Sequence, residues 1–128
     1  MREIKFRGKC LHGDEHWIYG SLQQPKDGGM LIFPPDAPDS YDNYLINPET
    51  VGQFIGLHDK NSNEIYEGDI LGKKDTPVRY IVEWDYTSVS FRLRGLMPFQ
   101  LTDFMTVIGF LGYEVIGNVH DNIELLKM

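Results

Sequence analysis

The sequence predicts a mainly β protein of one domain, with an α+β fold as the alternative. Apolar and polar residues alternate with period two in several segments, turn residues separate these segments at short intervals, and aromatic and β-branched residues are frequent within them. A chain of 128 residues is long enough to bury its own hydrophobic core. We therefore expect 1–128 to form a single domain with three subregions: an N-terminal hairpin at 1–24, a loop at 25–48 and a barrel-like region at 49–128.

The first subregion predicts a β-hairpin. Ile4 and Phe6 alternate with basic residues up to position 9, which is typical of a half-buried strand with a basic outer face. Trp17 and Tyr19 share one face of a second strand at 16–22, and Gly13 lies in the turn between the two.

The second subregion predicts mostly loop, because proline fixes φ and removes backbone donors. Within it, residues 30–33 are expected to form a short edge strand. Five of the seven prolines of the chain fall in this segment: Pro25, Pro34, Pro35, Pro38 and Pro48.

The third subregion predicts a succession of short strands and tight turns. Its clearest hairpin places Val78, Tyr80, Val82 and Trp84 on one face of the strand 78–85. Val89, Phe91 and Leu93 are expected on the same face of the partner strand. This succession is similar to the meander of a small SH3-like barrel, whose closure would remove exposed strand edges.

At most one or two short helices are expected. Leu101, Phe104, Met105 and Ile108 have helical spacing, and the β-branched residues among them keep a strand as the alternative. Residues 122–126 are compatible with a single capped helical turn.

Charge is unevenly distributed along the chain. The formal net charge of −7 disfavours unspecific binding to nucleic acid or anionic lipid, which needs surplus lysine and arginine. The first nine residues, however, carry a net charge of +3, so the other 119 carry −10. The basic stripe Lys5, Arg7 and Lys9 is therefore the predicted interaction patch, toward a protein partner or the acidic part of a neighbouring copy. A solvated strand face is the alternative interpretation.

Two segments contain metal-ligand residue types. Asp59, Asn61 and Asn63 have the spacing that opens a calcium loop, but the required glycine would fall at Glu64 and the bidentate glutamate at Ile70. A polar hairpin turn is the prediction there, because Asp and Asn bond their own backbone.

The second segment contains Cys10, His12 and His16, whose thiolate and imidazole groups are zinc ligands. A structural zinc site normally has a second paired cluster, and the sequence has none. We therefore predict no metal and no cofactor, with zinc on these three residues as the alternative.

The sequence contains no catalytic motif such as Gly-x-Ser-x-Gly, His-Glu-x-x-His or a phosphate-binding loop. A small hydrolase is the alternative, and it requires one pocket that holds two or more of His58, Asp69, His120 and Asp121. We predict a non-catalytic function.

Nucleic-acid binding by a small β-barrel is a further alternative, because aromatic residues of the predicted hairpins could stack on bases. Their alternation with polar residues favours core packing instead. The residues concerned are Trp17, Tyr19, Tyr80, Trp84 and Phe91.

Three segments resemble the YopX family of phage and prophage proteins: IKFRGK at 4–9, FIGLHDKNSNEIYEGDIL at 54–71 and YEVIGNVHDNIELL at 113–126. The chain departs from the family pattern at 61–63, where Asn-Gly is common, and at 122–124, where proline usually precedes the glutamate. The resemblance implies a β-rich fold, a phage or prophage origin and cytoplasmic residence in a bacterial host, but no reaction.

The expected function is therefore that of a phage accessory protein acting as a non-catalytic binding or self-assembly module, with a protein partner or a homo-oligomer. No membrane is expected, because no apolar run approaches the roughly 20 residues that cross a bilayer. The single cysteine excludes an internal disulfide, which favours the cytoplasm.

Overall fold

The structure is a computed structural model that describes residues 2–26, 28–37, 41–96 and 99–127. The described chain consists mainly of antiparallel β-strands, which confirms the predicted fold class at that level. It divides into two compact units, Met1–Phe54 and Ile55–Met128. The single-domain organisation stays a prediction.

The first unit confirms the N-terminal hairpin. Strand β1 (Phe6–Lys9) pairs antiparallel with β2 (Trp17–Gln23) on one side and with the first residues of β4 (Gly52–His58) on the other. Strand β3 (Leu31–Phe33) pairs with β2 and forms the edge, as predicted.

The core of the first unit lies on the face of the hairpin that carries Gly8 and Ile18. Ile18, Ile32 and Ile46 are buried together there. The absence of a side chain at position 8 makes room for this packing, since a Cβ atom on Gly8 would lie 2.8 Å from Cδ1 of Ile46. Core packing was therefore the wrong prediction for Trp17 and Tyr19, which lie on the opposite face. Trp17 is half-buried there, and Tyr19 is 43% exposed.

The described residues of 25–48 form mostly loop, as predicted, with short 3-10 turns at Tyr41–Tyr44 and Pro48–Thr50. The loop is fastened to the strands: the amide of Ile46 donates to the carbonyl of Met30, and the amide of Asn47 to that of Lys9. Pro38, one of the prolines behind the prediction, lies outside the described residues.

The second unit contains an antiparallel sheet of five strands. The strands that begin in this unit are β5 (Glu64–Tyr66), β6 (Asp69–Lys73), β7 (Thr76–Asp85), β8 (Ser90–Leu96), β9 (Phe99–Thr102) and β10 (Glu114–Asn118). The strand order in the sheet is β10-β6-β7-β8-β9. Strands β9 and β10 lie at opposite edges of this order, so the described strands form no closed barrel, and the SH3-like closure is unconfirmed.

The β7–β8 hairpin has the predicted facing. Val82 pairs with Leu93, and both are buried in the core of the second unit. Val89 is the exception, being 69% exposed with a φ of +55°. It lies in the turn between the strands and not on the core face, because β8 begins one residue later.

The described helical segments are short. Met105–Phe110 forms a π-helical turn, in which the amide of Leu111 donates to the carbonyl of Thr106, five residues earlier. This spacing buries Val107 and leaves Met105 73% exposed. Leu101, the first residue of the predicted helical pattern, lies in β9 instead of in this turn. Ile123–Leu126 is a 3-10 turn. No described helix is long and apolar enough to span a membrane.

Candidate interaction surface

The predicted basic stripe lies beside aromatic rings on the face of the first unit that carries Trp17 and Tyr19. The guanidinium carbon of Arg7 is 4.7 Å from the ring centroid of Trp17, and Nζ of Lys9 is 5.6 Å from the same ring. Nζ of Lys5 is 5.4 Å from the ring centroid of Phe54. These distances are within the range of cation–π attraction. The register between β1 and β2 places the basic side chains beside the rings, because Lys9 pairs with Trp17 and Arg7 with Tyr19.

We call Lys5, Arg7, Lys9, Trp17 and Tyr19 the basic-aromatic face. Its members differ in exposure. Arg7 is only 6% exposed, Trp17 and the two lysines are half-buried, and Tyr19 is exposed. Lys5 also lies 3.6 Å from a carboxylate oxygen of Glu3. The buried guanidinium is thus held in place, while Tyr19 and parts of the lysines and of Trp17 are open to solvent.

The proposed zinc ligands have other contacts. Cys10 is buried, and its Sγ is 3.6 Å from the carbonyl oxygen of Asn43. His12 and His16 are exposed, and Nδ1 of His16 lies 2.7 Å from Oδ1 of Asp14. This hydrogen bond lowers the pKa of Asp14. Among the described residues, no group of three or more His, Cys, Asp or Glu side chains is placed to hold a metal ion.

The segment with partial calcium-loop spacing forms a turn organised by a buried carboxylate. Oδ1 of Asp59 accepts from the amides of Asn61 and Asn63, at 2.9 and 3.0 Å, and Oδ2 accepts from the amide of Val115 at 2.9 Å. Burial raises the pKa of Asp59, but these hydrogen bonds outweigh it and the pKa lies below its ordinary value. Ser62 lies at 61–63, where Asn-Gly is common in the family pattern, and its φ of +66° is in the left-handed region that glycine adopts most easily.

The residues of the hydrolase alternative lie apart from the cleft described next. Asp69 is buried, and its Oδ2 accepts from the amide of Tyr66 at 2.7 Å. His58, His120 and Asp121 are exposed. None of the four lines that cleft.

The second unit has an open cleft of about 610 Å³, which we call the lysine cleft. Nζ of Lys60 is 3.8 Å from Oε2 of Glu114, and Nζ of Lys73 donates to the carbonyl of Leu111 at 3.0 Å. Sequence reasoning missed this cleft, because its residues come from separate segments and show no pattern. It is lined by three lysines (Lys60, Lys73, Lys74), two carboxylates (Asp75, Glu114) and Leu111.

The aromatic residues of the second unit pack on one another. The rings of Tyr80 and Tyr113 have centroids 5.1 Å apart, and those of Trp84 and Phe91 are 5.0 Å apart in an edge-on arrangement. Burial, with a smaller effect of Tyr113, raises the pKa of Tyr80. These four residues are buried or half-buried, in contrast to the exposed Tyr19.

Fold and surface thus define a mainly β protein with a cationic, aromatic face. A family model described as YopX protein matches residues 5–127, and the chain belongs to the YopX family. The resemblance inferred from three segments is confirmed.

One similar solved structure is described as the crystal structure of protein EF1440 from Enterococcus faecalis. The two chains share 26% sequence identity with a TM-score of 0.55, and the match covers 99% of this chain and 100% of the other. A comparison with curated proteins found no match.

Proposed function

We propose that this protein is a non-catalytic binding module that docks onto an acidic protein surface through the basic-aromatic face. The observation that carries the proposal is the placement of Arg7 and Lys9 against Trp17, with Tyr19 exposed beside them. The setting that we propose is a phage or prophage accessory protein in the cytoplasm of a bacterial host, in keeping with the family. An SH3-like barrel in the second unit belongs to the same proposal.

The residue types of this face favour a protein interface. Arginine, tryptophan and tyrosine are enriched among the residues that contribute most to protein–protein affinity. A ring already held against a guanidinium loses less conformational freedom when a partner arrives, and the affinity gains accordingly. Arg7 is only 6% exposed, so it orders Trp17 and leaves the contact with a partner to Trp17, Tyr19 and the two lysines.

Charge indicates the chemistry of the partner. The face is cationic within a chain of net charge −7, so an acidic partner surface is attracted to it selectively. The remainder of this same chain is acidic, and a second copy therefore also meets the requirement. The proposal includes both a heterologous partner and a homo-oligomer.

Single-stranded nucleic acid is the second candidate, favoured by one observation: an exposed tyrosine lies across from a cation–π pair, as in proteins that stack bases beside a basic groove. This candidate predicts affinity for oligothymidylate that falls steeply between 50 and 200 mM salt. An acidic protein partner predicts a shallower dependence on salt.

The test compares the wild-type protein with a Lys5→Glu/Lys9→Glu variant and with Tyr19→Ala. Sedimentation velocity and capture of host proteins at moderate salt are measured for each, with Lys26→Glu as a control for charge on another exposed segment. We expect the face variants to lose partner or self-association and the control to keep it. Equal capture and equal mass for all four proteins would contradict the proposal.

A further inference from the structure

The second unit carries a run of exposed apolar side chains beside the lysine cleft. Met105 is 73% exposed, Phe110 85% and Leu111 39%. We call these three residues the apolar ridge. Isolated exposed apolar residues are common on protein surfaces, but a contiguous group marks an interaction site.

The ridge follows from the π-helical turn. Met105 and Phe110 are five residues apart, the spacing of one π-turn, so they leave the same side of the segment. Between them, a Cβ atom on Gly109 would lie 3.8 Å from Cε of Met105, which places the methionine side chain along the glycine. Val107 points the other way and is buried in the core. The core thus anchors the segment while the ridge faces solvent.

The ridge and the cleft are continuous, because Leu111 belongs to both. The cleft contains three lysines and two carboxylates, so its lining is net positive in a chain that is net negative. Lys74 is exposed and forms no ion pair with a described residue. Nζ of the half-buried Lys73 lies 3.6 Å from Oδ1 of Asp75, which is exposed to solvent, and ion pairs at the surface contribute little to stability.

We propose that the apolar ridge and the lysine cleft form a docking site for an extended, acidic segment of a partner protein that also carries apolar side chains. Carboxylates of the segment pair with Lys74 and compete with Asp75 and Glu114 for the other two lysines. Apolar side chains of the segment cover Phe110 and Met105, whose flexible thioether adapts to different shapes.

Charge complementarity selects this occupant. A basic segment would place like charges against three lysines, and an acidic segment without apolar residues would leave the ridge uncovered. A concave cleft of about 610 Å³ has the size of sites that enclose a few side chains, which suits a protruding segment better than a flat surface.

The first experiment measures fluorescence anisotropy of labelled twelve-residue peptides with the full chain. The probe is a peptide of three Glu-Leu-Glu-Gly repeats, and the comparison peptides replace leucine by serine or glutamate by lysine. We expect the probe to bind at least about tenfold more tightly than either comparison peptide. Equal binding of all three, or no binding of the probe up to millimolar protein, overturns the proposal.

The second experiment locates the binding with Phe110→Ser and Lys74→Glu. The matched controls are Tyr86→Ser, an equally exposed aromatic in the β7–β8 turn, and Lys26→Glu, the same charge change in the first unit. We expect each site variant to weaken probe binding at least about fivefold and each control less than about twofold. Near-ultraviolet circular dichroism checks that every variant is folded.

Two results would overturn the proposed location or occupant. Equal affinity of the site variants and their controls would place the peptide elsewhere. A dimer in sedimentation velocity that Phe110→Ser dissociates, together with competition between dimer and probe, would make a second copy the occupant. Both results are independent of the basic-aromatic face, whose variants lie in the first unit.

Discussion

The β1–β2 and β7–β8 hairpins have similar alternating sequences, but their aromatic residues lie on opposite sides relative to the core. In β7–β8 the aromatic Trp84 and Phe91 lie on the face that also buries Val82. In β1–β2 the aromatic Trp17 and Tyr19 lie away from the core, on the face of the basic residues. Period-two alternation therefore tells that a strand has two different faces, but not which of them turns inward.

Packing decides the facing of the first hairpin. Ile18 is smaller than the aromatic residues on either side of it, and it is buried with Ile32 and Ile46, whose Cδ1 atoms occupy the space over Gly8. The aromatic rings of β7–β8 pack on one another, whereas Trp17 of β1–β2 contacts the cationic groups of Arg7 and Lys9.

The largest expected effect is on the buried face of β7–β8. Leu93→Ala should lower the free energy of unfolding by about 2–5 kcal/mol, because Leu93 is fully buried and its removal leaves a cavity. Tyr19→Ala should change it by less than about 1 kcal/mol, because the side chain is exposed. Urea denaturation followed by tryptophan fluorescence measures both. Similar losses for the two variants would break the comparison between the hairpins.

Filling the glycine under the first hairpin is expected to come next. Gly8→Ala should cost about 1–3 kcal/mol, because the added Cβ atom would lie 2.8 Å from Cδ1 of Ile46 and 3.2 Å from that of Ile32. Gly109→Ala is the matched control, since its Cβ atom would meet no described atom closer than 3.8 Å. Thermal unfolding separates them. If Gly8→Ala proves as stable as the control, the core does not determine the facing of β1.

Asp59 is a buried charge that is stabilised by backbone amides, whereas the buried charge of Arg7 in the first unit lies against the ring of Trp17. Asp59→Asn should cost about 1–3 kcal/mol, because an amide cannot accept from Asn61, Asn63 and Val115 together.

The same carboxylate gives a pH dependence. The pKa of Asp59 is lowered by folding, so its contribution to stability is present above its ordinary pKa of 3.8 and is lost as the pH falls through the lower folded value. Urea midpoints between pH 2 and 6 should therefore fall less steeply with acid in Asp59→Asn than in the wild type. Parallel curves would refute this role.

The smallest expected effect is at the cation–π contact of the first unit. Arg7→Lys keeps the charge but loses the planar group over Trp17, and we expect a loss of about 0.5–2 kcal/mol. Chemical denaturation measures the loss, and Lys26→Arg serves as a control on an exposed segment. No difference between the two variants would show that the ring contact adds nothing to stability.

Much of the strand pattern could be predicted from sequence, because alternation and turn residues are local signals. The hairpins and the edge strand β3 followed from them. The π-helical turn at Met105–Phe110 did not, since its side-chain spacing differs from the α-helical spacing of the sequence pattern. The lysine cleft depends on which strands become neighbours, and no local signal encodes that. The basic stripe could be predicted from the sequence, but its contacts with aromatic rings depend on the register between β1 and β2.

The buried Cys10 has a practical consequence, since it is the only thiol of the chain and lies in the first unit. A thiol-specific reagent can react with it only when that unit opens, and the second unit contributes no signal. Labelling rates in the native protein therefore report the local opening of the hairpin core by itself, without any engineered probe.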